Sequence, residues 1–169
     1  MKNLLVLSIA VLSLIPLTRT AFAASAPEVK SEVTTKVTRY PFQGTIQSTE
    51  TSVTVFPTMS VTASGSGNAT QLGAFTIYYQ AEISLLDLSS VESAEFTGTK
   101  GDSLRAEAVG QAVENRTPGM LNVIDIYKIK GGTGRFTGAS GTITLYRLVS
   151  ETTGASSSTF EGYILMPWK

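Results

Sequence analysis

The 169-residue chain contains neither cysteine nor histidine. Without thiols there is no disulfide framework and no thiolate metal site. Without imidazole there is no zinc finger and no Cys–His or Ser–His nucleophile pair. A metal would have to be held by oxygen alone, no carboxylate cluster is spaced for that, and no cofactor is expected. Charge is scarce as well: 13 basic and 13 acidic side chains make up 15% of the residues and cancel. A balanced chain has no long-range attraction for nucleic acid, which is not expected as a partner. The helical period is also missing. Only residues 82–93 (EISLLDLSSVES) approach it, with room for one helical turn. Apolar residues nevertheless make up 42% of the chain, enough for the core of one domain.

The first residues read as an address. Met1, Lys2 and Asn3 precede an apolar run over 4–17, which Pro16 and the polar Thr18-Arg19-Thr20 bring to an end. Its 14 positions fall short of the roughly 20 that cross a bilayer as a helix. Ala21-Phe22-Ala23 then offers the small residues that a signal peptidase reads. The expectation is a signal peptide over 1–23 cleaved before Ala24, a flexible lead-in over 24–35 and one domain over 36–169. The product would be secreted or periplasmic, with no membrane association after cleavage. Loss of Lys2 and Arg19 would leave 11 basic against 13 acidic groups, a charge of −2. Some 146 residues can form a core without disulfide staples, and an exported chain without cysteine points to a bacterial source.

From residue 36 onward Thr, Val, Ile, Tyr and Phe dominate, interrupted by Gly and Ser as strands are by turns. Extended segments are expected near 36–48, 52–64, 71–84, 91–99, 102–114, 120–130, 139–150 and 157–166. Phe75, Ile77, Tyr79, Ala81 and Ile83 share one face of the third; Leu104, Ala106, Ala108, Gly110 and Ala112 share one face of the fifth. Glu50 falls in a Ser/Thr-rich stretch read as a turn, and the Ser/Thr-rich stretches 62–70 and 150–159 read as turns or loops. Hairpin-length connections without crossover helices leave a sandwich or a barrel. An up-and-down meander removes its exposed edges by closing, and the small residues of the fifth segment suit a narrow interior. The fold class expected is all-β, an antiparallel up-and-down β-barrel of about eight strands.

Residues 130–145 read KGGTGRFTGASGTITL. Gly131, Gly132 and Gly134 permit a tight connection with positive φ, and Phe136 would fold back as an apolar plug. A phosphate-cradling loop is excluded by context: the Lys-Ser/Thr end is absent, and a strand follows rather than a helix. The segment resembles the barrel shared by plant allene oxide cyclases and dirigent proteins, matching at Gly131, Gly132, Thr133, Gly134, Phe136, Gly138 and Gly141. Gly101-Asp102-Ser103-Leu104 with Gly110 is similar to a dirigent strand. The span from Phe42-Gln43-Gly44 to Phe160-Glu161-Gly162 resembles small secreted bacterial members of the group. The resemblance implies the fold and a homo-oligomer, a trimer in the plant relatives. It does not carry their catalytic residues across. Those relatives place acidic groups on early strands, where this chain offers only Glu50 in a presumed turn, and the Cys and His found in parts of those families are absent.

Candidate chemistry inside the barrel centres on Asp125, which shares a strand face with Val123, Tyr127 and Ile129. A carboxylate among apolar neighbours is costly to bury unpaired. It is read either as a ligand-orienting acid or as a structural carboxylate paired with Arg147 or bonded to a Tyr hydroxyl. Phe75, Ile77 and Tyr79, with Asp125 and Tyr127 as polar anchors, are the expected lining for a small apolar ligand. The function expected is a non-enzymatic exported barrel that binds such a molecule. The alternative is a cyclase or isomerase that closes a reactive apolar intermediate.

Overall fold

A computed structural model describes residues 36–167; the expected signal segment and lead-in lie outside the described residues. Side chains alternate inward and outward along almost every segment, which is what a strand with one buried face requires. The strands are β1 (Val37–Pro41), β2 (Gly44–Val55), β3 (Thr58–Ala69), β4 (Gly73–Ser84), β5 (Ser89–Gly98), β6 (Ser103–Glu114), β7 (Met120–Gly132), β8 (Ser140–Ser150) and β9 (Ala155–Pro167). Among the described residues the sole helical element is a 3-10 turn, Gly134–Phe136. From β2 to β9 each strand pairs antiparallel with the next. β9 then returns to β2, with Gly44 opposite Phe160 and Thr49 opposite Ala155, and the sheet is closed. β1 extends along the far half of β9, Val37 opposite Pro167 and Pro41 opposite Tyr163. The molecule is therefore an eight-stranded up-and-down barrel with one extra strand.

The first strands run differently from the expectation. The segments 36–48 and 52–64 are replaced by β1, β2 and β3, and the chain reverses at Phe56-Pro57 rather than near Glu50. The Ser/Thr-rich stretch 62–70 likewise lies almost wholly in β3, and of 150–159 only 151–154 form the expected turn while 155–159 belong to β9. Hydroxyl side chains favour turns when they bond the local backbone. Here the ladder takes the backbone groups, and the hydroxyls face solvent or pair between neighbouring strands on the inner face, as Ser48 of β2 and Ser156 of β9 do at 2.6 Å. Residues 82–93 hold a single uncontinued α-turn, closed by the Leu88 amide donating to the Ser84 carbonyl at 2.8 Å. The β7–β8 connection runs as expected: Gly134 has φ +57°, and Phe136 is completely buried.

The interior is filled in tiers, because inward residues at one height come from every strand and cannot all be large. One end is closed by aromatic rings: Phe42 packs 5.1 Å from Phe160, and Phe75 lies 5.6 Å from Phe96. Phe136 folds over the same end beside Leu104 and Ile164. The middle tier is polar. Its long side chains come from β2, β4, β5, β7 and β8, while β3, β6 and β9 place Ala63, Ala108, Gly110 and Ser158 opposite them. Beyond that tier the barrel is not filled.

Candidate functional site

Arg147 enters the middle tier from β8, its side chain only 5% exposed. Such a charge must be paired where it sits, and partners arrive from four other strands. Nη1 donates to Glu50 Oε1 of β2 at 3.1 Å and to the Tyr79 hydroxyl of β4 at 2.7 Å. Nη2 donates to Glu92 Oε1 of β5 at 2.9 Å and lies 3.1 Å from Asp125 Oδ2 of β7. The phenols complete the net: Tyr79 donates to Glu50 Oε1 at 2.6 Å, and Tyr127 donates to Glu92 Oε2 at 2.5 Å. Ser90 adds a weaker bond to Glu92 Oε1 at 3.2 Å.

Asp125 is the odd member. Its side chain is fully buried, and neither oxygen completes a hydrogen bond despite the short approach to Arg147. Gly110 of β6 makes the space it occupies, since a Cβ at that position would collide with Asp125 Oδ1 and Ser90 Oγ. Burial pushes the Asp125 carboxyl up to about 8; Arg147 opposes the rise and Glu92 adds to it. At neutral pH Asp125 is thus mainly a neutral acid, leaving two carboxylates around one guanidinium. Tyr79 and Tyr127 are driven up in the same way, chiefly by burial, and stay protonated as donors.

Above this tier a cavity of about 270 Å³ opens toward the end opposite the aromatic plug. Its walls are apolar, with Met59, Val61, Ile83, Leu121, Val123 and Val149; Glu50, Ser90 and Arg147 form its floor. Glu50 is the most accessible charge of the floor, at 12% side-chain exposure. The arrangement can hold a molecule of modest size in a dry wall and present charge or a proton to one end of it.

No family model and no curated protein matches the chain. Among solved structures it is similar to the pterocarpan synthase dirigent protein GePTS1, with a TM-score of 0.55 and 15% identity over 89% of this chain and 100% of that one. The fold is the dirigent-type barrel. At that identity the likeness concerns architecture, and the site must be argued from its own residues.

Within this dirigent-type barrel the five expected lining residues divide into two groups. Phe75 and Ile77 belong to the closed, aromatic half of the core. Tyr79, Asp125 and Tyr127 come together in the polar tier, Asp125 paired with Arg147 as one of its two readings had it. None of the five is among the residues that line the cavity. Glu50, assigned to a turn from the sequence, instead points inward from the middle of β2 and helps form the floor. Glu92 was missed, although the signal is present: it shares a face with Ser90, Ala94 and Phe96, the same misfit that marks Asp125.

Proposed function

We propose that this barrel binds a small, largely apolar molecule in the end-open cavity, its one polar end against the Glu50–Arg147 floor. The observation that carries the reading is the half-filled interior: aromatic rings close one end, while an apolar-walled space of about 270 Å³ is kept open above a buried charged tier. An engineered cavity of about 150 Å³ holds benzene, so this one has room for about two fused rings. Export from the cytoplasm belongs to the proposal and is supported by the N-terminal segment. The neutral two-ring fluorophore prodan, a substituted naphthalene, should brighten on binding. Ala112→Phe, which fills the wall, should abolish the effect with an unchanged circular dichroism spectrum. No enhancement by the parent, or equal enhancement by both proteins, would remove the reading.

A second reading, a cyclase or isomerase acting on a reactive apolar intermediate, draws support from Asp125. Asp125 does not line the cavity but lies 3.1 Å from Arg147, which does, and a carboxylic acid kept protonated near neutral pH there is a proton donor one side chain removed from the ligand. The similar dirigent protein is described as a pterocarpan synthase, so a synthase is described on this architecture. Ring closure of an unsaturated epoxide that is faster than in buffer, and is lost in Asp125→Asn, would establish catalysis. Equal rates with and without protein would leave binding alone.

A further inference from the structure

The polar tier does not balance its own charge. Glu50, Glu92 and Asp125 converge on Arg147, the one basic side chain in the tier among the described residues, so one negative charge remains even when Asp125 carries a proton. The excess is beside the cavity, because Glu50 and Arg147 both line its floor and Glu151 stands at its rim. The turns around that mouth repeat the sign: Asp87, Glu114 and Glu151 are set against Arg116. At the plugged end the balance is reversed among the described residues, with Lys36, Arg39, Lys100 and Arg135 against Asp102 and Glu161. An acidic mouth over a floor short of positive charge attracts cations, and low-dielectric walls strengthen the pull.

We propose that the cavity selects small organic cations, a protonated amine whose ammonium group meets the Glu50 carboxylate while a body of about two rings fills the apolar wall. The inference rests on the small-molecule reading above and adds the sign of the ligand's charge. Glu50 suits the role because Tyr79 and Arg147 both bond its Oε1, which leaves Oε2 outside the net. An incoming ammonium would supply the positive charge that the tier lacks. Stripping water from an ammonium opposes binding, so only a real charge deficit would give a preference over a neutral group of the same shape.

The test is calorimetric titration of the full exported chain with three ligands of one skeleton: 2-naphthylethylamine, 2-naphthylethanol and 2-naphthylacetate. The amine should bind tightest and exceed the carboxylate by about tenfold or more, the order of one partly shielded ion pair. Glu50→Gln should bring the amine and the alcohol together. An amine that binds no tighter than the alcohol or the carboxylate overturns the inference, and this ranking in the parent needs no variant. An amine preference that survives Glu50→Gln in full overturns Glu50 as its seat. Failure of all three while prodan still binds removes this inference alone; failure of the fluorophore too removes the cavity reading beneath it.

Discussion

Asp125 shows how a single residue can set the pH response of the whole fold. Its ordinary value of 3.8 is raised to about 8 because burial penalises the charged form more than Arg147 favours it. Between those two values the folded chain holds a proton on Asp125 that the unfolded chain has released. Stability from this group is therefore complete below the lower value and is lost as pH rises through the upper one. Urea midpoints of the parent should carry this downward component between about pH 4 and pH 8, and Asp125→Asn should remove it because an amide does not titrate. Parallel pH profiles for the two proteins would contradict the raised value. Arg147 makes the complementary point. Its side chain serves three acidic side chains, so no one of those pairs can be valued in isolation.

The β7–β8 connection is the element in which sequence and structure agree most closely. Gly134 stands at φ +57°, and a Cβ there would run into the Asp102 carboxylate, so both conformation and space call for glycine. Asp102 is also the partner of Arg135 at 3.1 Å, which ties this turn to the β5–β6 turn. Phe136 then covers the aromatic end of the core with no exposure at all. Gly134→Val should cost more than about 1 kcal/mol, and Phe136→Ala about 3–5 kcal/mol, by urea denaturation at neutral pH. A Phe136→Ala midpoint equal to that of the parent would mean that the ring does not close the barrel.

Seen whole, the barrel presents an outer face that a solitary molecule would leave wet. Val91 lies opposite Val109, Val109 opposite Ile126, and Ile124 opposite Tyr146, forming a band across β5 to β8. Val91, Val109, Ile124, Ile126 and Tyr146 are each 45–60% exposed, and contiguous apolar patches of this kind mark association surfaces. The proposal is self-association of the chain through this band. Sedimentation at micromolar concentration should show an oligomer, and Val109→Lys with Ile126→Lys should give a folded monomer. A monomeric parent would refute it.

Strand alternation, turn-forming glycines and the absence of any helical period were sufficient for an all-β barrel with the β7–β8 turn in place, because these are local preferences repeated along the chain. Asp125 was legible for the same reason, as a carboxylate out of keeping with its strand face. The middle of β2 was not. A run of Ser and Thr suits a turn or an outward strand face equally well, and the choice between them is made by the partner strands β3 and β9. That choice put Glu50 inside the barrel. Nor could the sequence show that Glu50, Tyr79, Glu92, Asp125, Tyr127 and Arg147, spread over nearly a hundred positions, would converge on one tier. Which inward positions fall at the same height is decided by the stagger between strands once the sheet closes, and that depends on all eight together. Periodicity within a strand told which residues face inward; only closure decided which of them meet, and that one end would be plugged by rings and the other left open.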